Sequence, residues 1–247
     1  MLSSDLQACL FDMDGVLTDT AAVHAAAWKE MFDGFLREWS EREGIPCTPF
    51  DLAGDYVEYV DGKRREDGVR SFLASRGIRL PEGRPDGPPE AETVHGLGAR
   101  KNALLLRLLD ERGVGVFPDA VDFVRAVRER GMRTAVVSSS ANTVQVLKAA
   151  DLTDLFDARI DGVVAQERDL PGKPAPDMFL AGAEALGAQP RRAAVFEDAL
   201  SGVAAGRAGG FGLVVGVDRV GGGHAAALRE NGADVVVGDL GELLETR

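Results

Sequence analysis

Cys9-Leu10-Phe11-Asp12-Met13-Asp14-Gly15-Val16-Leu17-Thr18-Asp19-Thr20 is the stretch on which the reading of this chain turns. A short apolar run stops abruptly at two aspartates one residue apart, and a glycine follows. Two carboxylates brought together repel, which is costly unless a cation lies between them. Gly15 suits the sharp backbone turn that would bring both side chains to one point. The stretch therefore reads as a strand delivering Asp12 as a nucleophile toward a phosphoryl group, with Asp14 as the acid/base beside it. Two solvated aspartates in an ordinary turn would be the reading of the tripeptide alone; the motifs further along weigh against it.

Outward from this strand the chain changes rhythm twice. From Ala21 to Trp39 it is alanine-rich, with Val23, Ala26, Ala27, Met31, Phe35 and Trp39 at helical spacing and Trp28 packing with them. Helices are also expected over Lys63–Arg76 and over Leu97–Arg112, where Leu104, Leu105, Leu108 and Leu109 make an apolar face. Between these two, Gly77–Glu92 holds Pro81, Pro85, Pro88 and Pro89 and reads as a surface loop. After Phe117 helix and strand alternate. Pro118 opens a helix that stops at Gly131, followed by a strand at Thr134–Val137 and a helix at Ala141–Ala150. A helix at Ala175–Gly187, a strand at Ala193–Phe196 and a helix at Ala199–Ala208 come next, then strands at Leu213–Val217 and Asp234–Val237. Short apolar strands separated by helices predict an α/β fold with a parallel sheet covered on both faces. Residues 1–20 and 117–247 form the expected core, and 21–116 an inserted helical cap.

Composition limits the partners. The 247 residues carry a net charge of −12, which argues against nucleic acid or an anionic membrane surface as a general partner. An anionic substrate must then be caught by a local cluster of positive charge. Only Lys29, Lys63, Lys101, Lys148 and Lys173 are lysines among 28 basic residues, so each invites a reason why arginine would not serve. The two cysteines, Cys9 and Cys47, suggest neither a disulfide framework nor a zinc site. No stretch is long enough for a bilayer span, and the first strand starts too early for a signal peptide, so a cytoplasmic protein is expected.

Polar groups gather where strands stop. One strand gives way to Ser138-Ser139-Ser140-Ala141-Asn142 and another to Glu197-Asp198. With Asp12 and Asp14, three strands place such groups at their carboxyl ends, where open α/β sheets bind ligands. Ser138 before a helix could hold phosphate oxygens, or could simply cap the helix. Lys173, in Gly172-Lys173-Pro174-Ala175-Pro176-Asp177, could offset charge on a phosphoryl group and on the attacking carboxylate, or could be a solvated lysine. Glu197 and Asp198 would complete, with Asp12 and Asp14, a set of hard oxygens suited to Mg²⁺.

In order, DMDGVLTDT, the serine after an apolar strand, GKPAPDMF and VFEDALSG resemble the four motifs of the haloacid dehalogenase superfamily. The resemblance implies a Rossmann-like parallel sheet core with an inserted α-helical cap, Mg²⁺ as cofactor, and an aspartyl-phosphate intermediate on Asp12. A dehalogenase proper needs neither the metal nor an acid/base at Asp14. The closer likeness is to the β-phosphoglucomutase branch. Thr20-Ala21-Ala22-Val23-His24 with Ala27-Trp28 resembles the start of its cap, which implies that the histidine helps position the acid/base aspartate and that His24 and Trp28 belong to the substrate-binding set. Arg65-Glu66-Asp67 resembles the cap arginine that grips the substrate's far phosphate. Arg100-Lys101-Asn102 resembles the cap segment whose lysine and asparagine face the active site. Ser140 and Asn142 match core positions that help hold that distal phosphate, and Ser139 joins them as a candidate for substrate binding. His24, Arg65 and Lys101 each also have a plain reading, as a partly buried histidine and solvated basic residues. Two departures stand out: Ala141 replaces a usual lysine, and the cap is longer, chiefly around Ser40–Tyr59 and in the proline- and glycine-rich loop Gly77–Glu92.

By this resemblance the chain is a monomeric enzyme acting on a phosphorylated sugar, most specifically turning β-glucose 1-phosphate into glucose 6-phosphate. Hydrolysis of a sugar phosphate is the alternative, water replacing the sugar hydroxyl as acceptor. A non-catalytic binding protein on the same fold is disfavoured because every chemical position is filled.

Overall fold

The computed structural model describes residues 3–245. Six strands form one parallel sheet: β1 (Ala8–Phe11), β2 (Arg133–Val137), β3 (Ala158–Ile160), β4 (Ala193–Glu197), β5 (Leu213–Val217) and β6 (Val235–Val237), in the order β3-β2-β1-β4-β5-β6. The strand read first is thus central, flanked by β2 and β4. Three helices lie in the insertion: α1 (Ala21–Glu43), α2 (Arg65–Ser75) and α3 (Val94–Arg112). Seven follow it: α4 (Pro118–Glu129), α5 (Thr143–Ala149), α6 (Gly162–Glu167), α7 (Asp177–Ala185), α8 (Leu200–Ala208), α9 (His224–Glu230) and α10 (Glu242–Glu245). Among the described residues, no helix is long and apolar enough to cross a membrane.

Side chains alternate across each strand, so the apolar residues of the central strands serve two faces. Ala8 and Leu10 share a core with Ala135, Val137 and Val195 and with Met178 and Phe179 of α7 and Val203 of α8. On the other face Phe11 stacks on Phe196, with ring centroids 4.6 Å apart, and meets Phe123 of α4 edge-on at 6.1 Å. Each such buried ring contributes about 1.5–3 kcal/mol from its removal from water.

The chain divides into two compact units. The sheet unit runs to Asp19, takes in Gly62–Arg64 and resumes at Val114; the helical unit is Thr20–Asp61 with Arg65–Gly113. Within the sheet unit, the chain leaving and the chain returning pair side by side: Asp19 donates to the Gly115 carbonyl at 3.0 Å and Phe117 to that of Leu17 at 3.0 Å. The helical unit has its own core, in which Trp28, Phe32, Phe35, Phe50 and Phe72 pack together. Trp28 stacks on Phe32 at 5.3 Å, and Phe32 on Phe50 at 5.1 Å.

Several boundaries differ from those expected. α1 continues past Trp39 to Glu43 and stops at Gly44, whose φ of 69° is left-handed. The segment expected as cap extension adds one π-helical turn, Tyr56–Val60, and buries Phe50. The helix expected from Ala141 starts at Thr143, because the Ser140 hydroxyl accepts from the Asn142 amide and holds the preceding loop. β3, α6, α9 and α10 are not among the elements expected from the sequence. β3 has three residues, one of them the exposed Arg159, too few for a period to register. α6 is opened by Asp161, whose carboxylate accepts from the Val163 and Val164 amides.

Candidate active site

The register of the two central strands builds the site. Phe11 of β1 lies level with Phe196 of β4, and the Asp12 amide donates to the Phe196 carbonyl at 2.9 Å. Asp12 and Glu197, the next residue on each strand, are therefore level and share a face, and their carboxylates converge on one cation. Lys173 Nζ donates to Asp12 Oδ1 at 2.5 Å, to the Val137 carbonyl at 3.3 Å, and to Glu197 Oε1. Lys173 is 2% exposed, which excludes a solvated surface lysine. It reaches the carboxylates from the loop before α7, over the Phe179 ring, and its bond to Pro174 is cis.

Three buried charges of alternating sign need one another. Burial alone would lower the Lys173 pKa, but Asp12 and Glu197 outweigh it and hold the ammonium above its ordinary range. Burial pushes the Glu197 carboxyl up to about 7 against the pull of Lys173, with the nearby Asp12 charge adding to the rise. Breaking such a pair by removing one partner costs about 3–5 kcal/mol, since the remaining charge stays buried.

Glu197, proposed from the sequence as a metal ligand, is the buried partner of Lys173. Both of its oxygens are engaged, Oε1 by Lys173 and Oε2 by the Ala199 amide at 2.9 Å, and it is fully buried. Asp198, one residue on, turns elsewhere, because successive side chains leave a strand on opposite sides. Its carboxylate lies over Gly15, where a Cβ would overlap it; the φ of +88° there is a second reason for glycine. Asp198 is thereby held beside the turn that carries Asp14. That turn is closed by Gly15 and Thr18: the Gly15 amide donates to the Thr18 carbonyl at 2.8 Å, and the Thr18 hydroxyl to that of Met13 at 3.1 Å.

The serine loop lies at the end of β2. Ser138 is buried and its hydroxyl accepts from the Ser140 amide at 3.1 Å. Ser139 donates to the Gly62 carbonyl at 2.7 Å, so its hydroxyl is engaged within the protein. Gly62–Arg64 is the piece of the insertion that belongs with the sheet unit, and Arg64 also donates to the Leu170 carbonyl at 3.3 Å. This segment lies inside the insertion expected from the sequence as cap, and the Asp61-Gly62 turn is the one local sign that it departs from it. Ser140 and Asn142 are partly exposed on the same loop.

In the helical unit, Lys101 Nζ approaches His24 Nδ1 at 3.1 Å and lies 5.0 Å over the Trp28 ring. An ammonium only donates, so Nδ1 accepts and the ring proton sits on Nε2. His24 retains some exposure, yet burial, with the Lys101 charge second, holds its pKa well below the usual 6.5. Trp28, expected to bind substrate, is 3% exposed and belongs to the aromatic core; stacking claims its ring. Arg65 pairs with Glu66 at 3.1 Å and keeps part of its side chain accessible, and Asn102 is partly exposed.

Known proteins resemble this chain over most of its length. The model of the haloacid dehalogenase-like hydrolase family matches residues 6–210. A β-phosphoglucomutase of Mycobacterium tuberculosis is 58% identical over 98% of this chain and 93% of its own length. One from Bacillus subtilis is 30% identical over 86% of this chain and 83% of its own. Among solved structures, a Clostridium difficile β-phosphoglucomutase superposes with a TM-score of 0.74 at 24% identity, covering 96% of this chain and 93% of that one. With three motifs at the carboxyl ends of a parallel sheet and the fourth reaching them from the loop before α7, these matches make the chain a member of the haloacid dehalogenase-like hydrolases, in their β-phosphoglucomutase-like branch.

Proposed function

We propose that this chain isomerises a phosphorylated sugar by phosphoryl transfer through Asp12, most specifically β-glucose 1-phosphate to glucose 6-phosphate, acting as a cytoplasmic monomer. The observation that carries the reading is the Asp12 carboxylate gripped by the buried Lys173 at the end of the central strand. A nucleophile there is positioned, and the ammonium beside it lowers the repulsion an incoming phosphate would meet. The 58% identity to a β-phosphoglucomutase supports the choice of substrate.

The steps follow from the residues. An Asp12 oxygen bonds to phosphorus as the bond from phosphorus to the sugar oxygen breaks, and Asp14 gives that oxygen its proton. Asp14 then takes the proton of the next acceptor hydroxyl, which removes the phosphoryl group from Asp12. Ser138 and the amides of its loop hold phosphate oxygens, and Lys173 stays charged throughout. By the resemblance, Arg65 of the helical unit is proposed for the substrate's second phosphate, Lys101 and Asn102 for the sugar and His24 for positioning the acid/base, while Ser139, Ser140 and Asn142 of the serine loop are proposed for phosphate oxygens.

The donor set suits Mg²⁺. Among the described residues no three His, Cys, Asp or Glu side chains gather as a metal site built from protein alone would need. Mg²⁺ asks for less, one or two carboxylates with waters and substrate phosphates. The Asp198 carboxylate in its cradle over Gly15, beside the Asp12–Asp14 turn, offers such oxygens. When bound, Mg²⁺ would be held by one or two carboxylates of the proposed set Asp12, Asp14, Glu197 and Asp198 together with waters, and would supply positive charge against the phosphate oxygens.

Hydrolysis of a sugar phosphate is the second reading, favoured by the uncharged, exposed Ala141 near the distal phosphate position. Product analysis separates the two. With β-glucose 1-phosphate and a trace of its bisphosphate, the isomer is expected to form faster than inorganic phosphate. Phosphate without isomer moves the assignment to hydrolase.

A further inference from the structure

His224 follows three consecutive glycines, Gly221, Gly222 and Gly223, all left-handed with φ of 71°, 65° and 102°. They bring the chain round from β5 into α9 and turn the histidine back toward the neighbouring strand end. There its Nε2 lies 2.7 Å from the Asp198 carbonyl oxygen. A carbonyl only accepts, so Nε2 carries the proton and donates. The same peptide unit is held at its other end: the Ala199 amide, bonded to that carbonyl carbon, donates to Glu197 Oε2 at 2.9 Å. One peptide plane is thus pinned on both sides, by His224 and by the carboxylate that also holds Lys173. Pinning it fixes ψ of Asp198 and so the direction in which its carboxylate leaves the chain toward Gly15.

We infer that His224 is a positioning residue for the Asp198 carboxylate, setting it for a divalent cation without touching the cation or the substrate. The inference rests on the reading of Asp198 as a Mg²⁺ ligand. It gives a purpose to the glycine run, which otherwise adds three flexible residues to a loop beside the site. Residues behind a ligand orient it, and their loss weakens metal binding about 10–100-fold. Here the contact is to the main chain rather than to the carboxylate, so the lower end of that range applies.

The test is calorimetric titration of the substrate-free protein with Mg²⁺, read as a dissociation constant. His224→Ala and His224→Leu both lack the donor, whereas His224→Gln presents an amide N–H in its place. The alanine and leucine variants are expected to bind Mg²⁺ about tenfold more weakly, and the glutamine variant to regain most of the loss. Leucine fills the space of the ring, so the contrast of leucine with glutamine isolates the donor from packing. Equal binding by these two variants, or wild-type binding by all three, overturns the inference. Asp198→Asn serves as the control for the underlying reading. If it abolishes Mg²⁺ binding while His224→Leu binds normally, only the positioning role fails. If it leaves binding untouched, the metal assignment fails and the role of His224 falls with it.

Discussion

Each unit of this protein buries one lysine, and the two are solvated by protein in opposite ways. Lys173 in the sheet unit lies between the carboxylates of Asp12 and Glu197. Lys101 in the helical unit lies against a ring nitrogen of His24 and the face of Trp28. The first arrangement raises the pKa of the lysine; the second lowers that of the histidine. A buried cation between carboxylates keeps a nucleophile charged and fixed. Burial first, and the Lys101 charge second, keep the imidazole neutral and able to accept a hydrogen bond. Arginine would suit neither place as well, being a wide planar fork where a compact point charge is needed.

The contrast can be broken most severely at the nucleophile. Asp12→Asn removes the attacking oxygen but leaves Glu197 to hold Lys173, so turnover should fall below detection while the urea midpoint stays close to wild type. Measurable isomerisation by a pure Asp12→Asn preparation would refute the assignment.

Removing the lysines compares the units directly. Lys173→Met leaves two carboxylates side by side in the interior and should cost about 3–5 kcal/mol of stability. Lys101→Met leaves a neutral histidine and an aromatic face, and about 1 kcal/mol is expected, the usual size for a point substitution. Equal losses in urea unfolding at pH 7 would show that the two environments do not differ as described.

The third effect is one of selectivity. Arg65→Ala should slow isomerisation about tenfold to a hundredfold, the scale of one charged hydrogen bond of about 1.5–3 kcal/mol. Hydrolysis of acetyl phosphate, which has no second phosphate, should change little. A parallel decline in both reactions would remove Arg65 from phosphate recognition.

The smallest effect is in acid. His24 in the unfolded chain takes up a proton near 6.5, whereas in the folded protein it stays neutral to lower pH. Below 6.5 the unfolded state therefore binds more protons, and stability falls as pH falls. The slope is at most about 1.4 kcal/mol per pH unit, and it is reduced here because His24 is not wholly removed from solvent. Comparing urea midpoints at pH 6.5 and 5.5, His24→Asn should flatten this limb; an unchanged slope would assign acid sensitivity to other groups.

Much of this site was legible in the chain. Asp12, Ser138 and Lys173 were marked by apolar strands that end abruptly and by a proline-braced lysine, signals that local chemistry leaves on the residues themselves. Glu197 and Asp198 show where legibility stops. Adjacent in sequence, they read as a pair of metal oxygens; in space one holds Lys173 and the other lies over Gly15. His224 left no signal at all, because its partner is a main-chain carbonyl and any residue at 198 would present one.

By itself, then, the sequence determined the α/β class, the helical insertion, the central strand and the residue types of the chemistry. These follow from periodicity, turn residues and the rarity of charge at the end of an apolar strand, all properties of neighbours along the chain. Only the tertiary structure decided which carboxylate meets Lys173, that Trp28 is core rather than contact, and that Gly62–Arg64 joins the sheet unit. Those outcomes depend on strand register and on which side chain reaches a buried partner first. A one-residue step along a strand reverses the face a side chain takes, and the register is set by packing across the sheet.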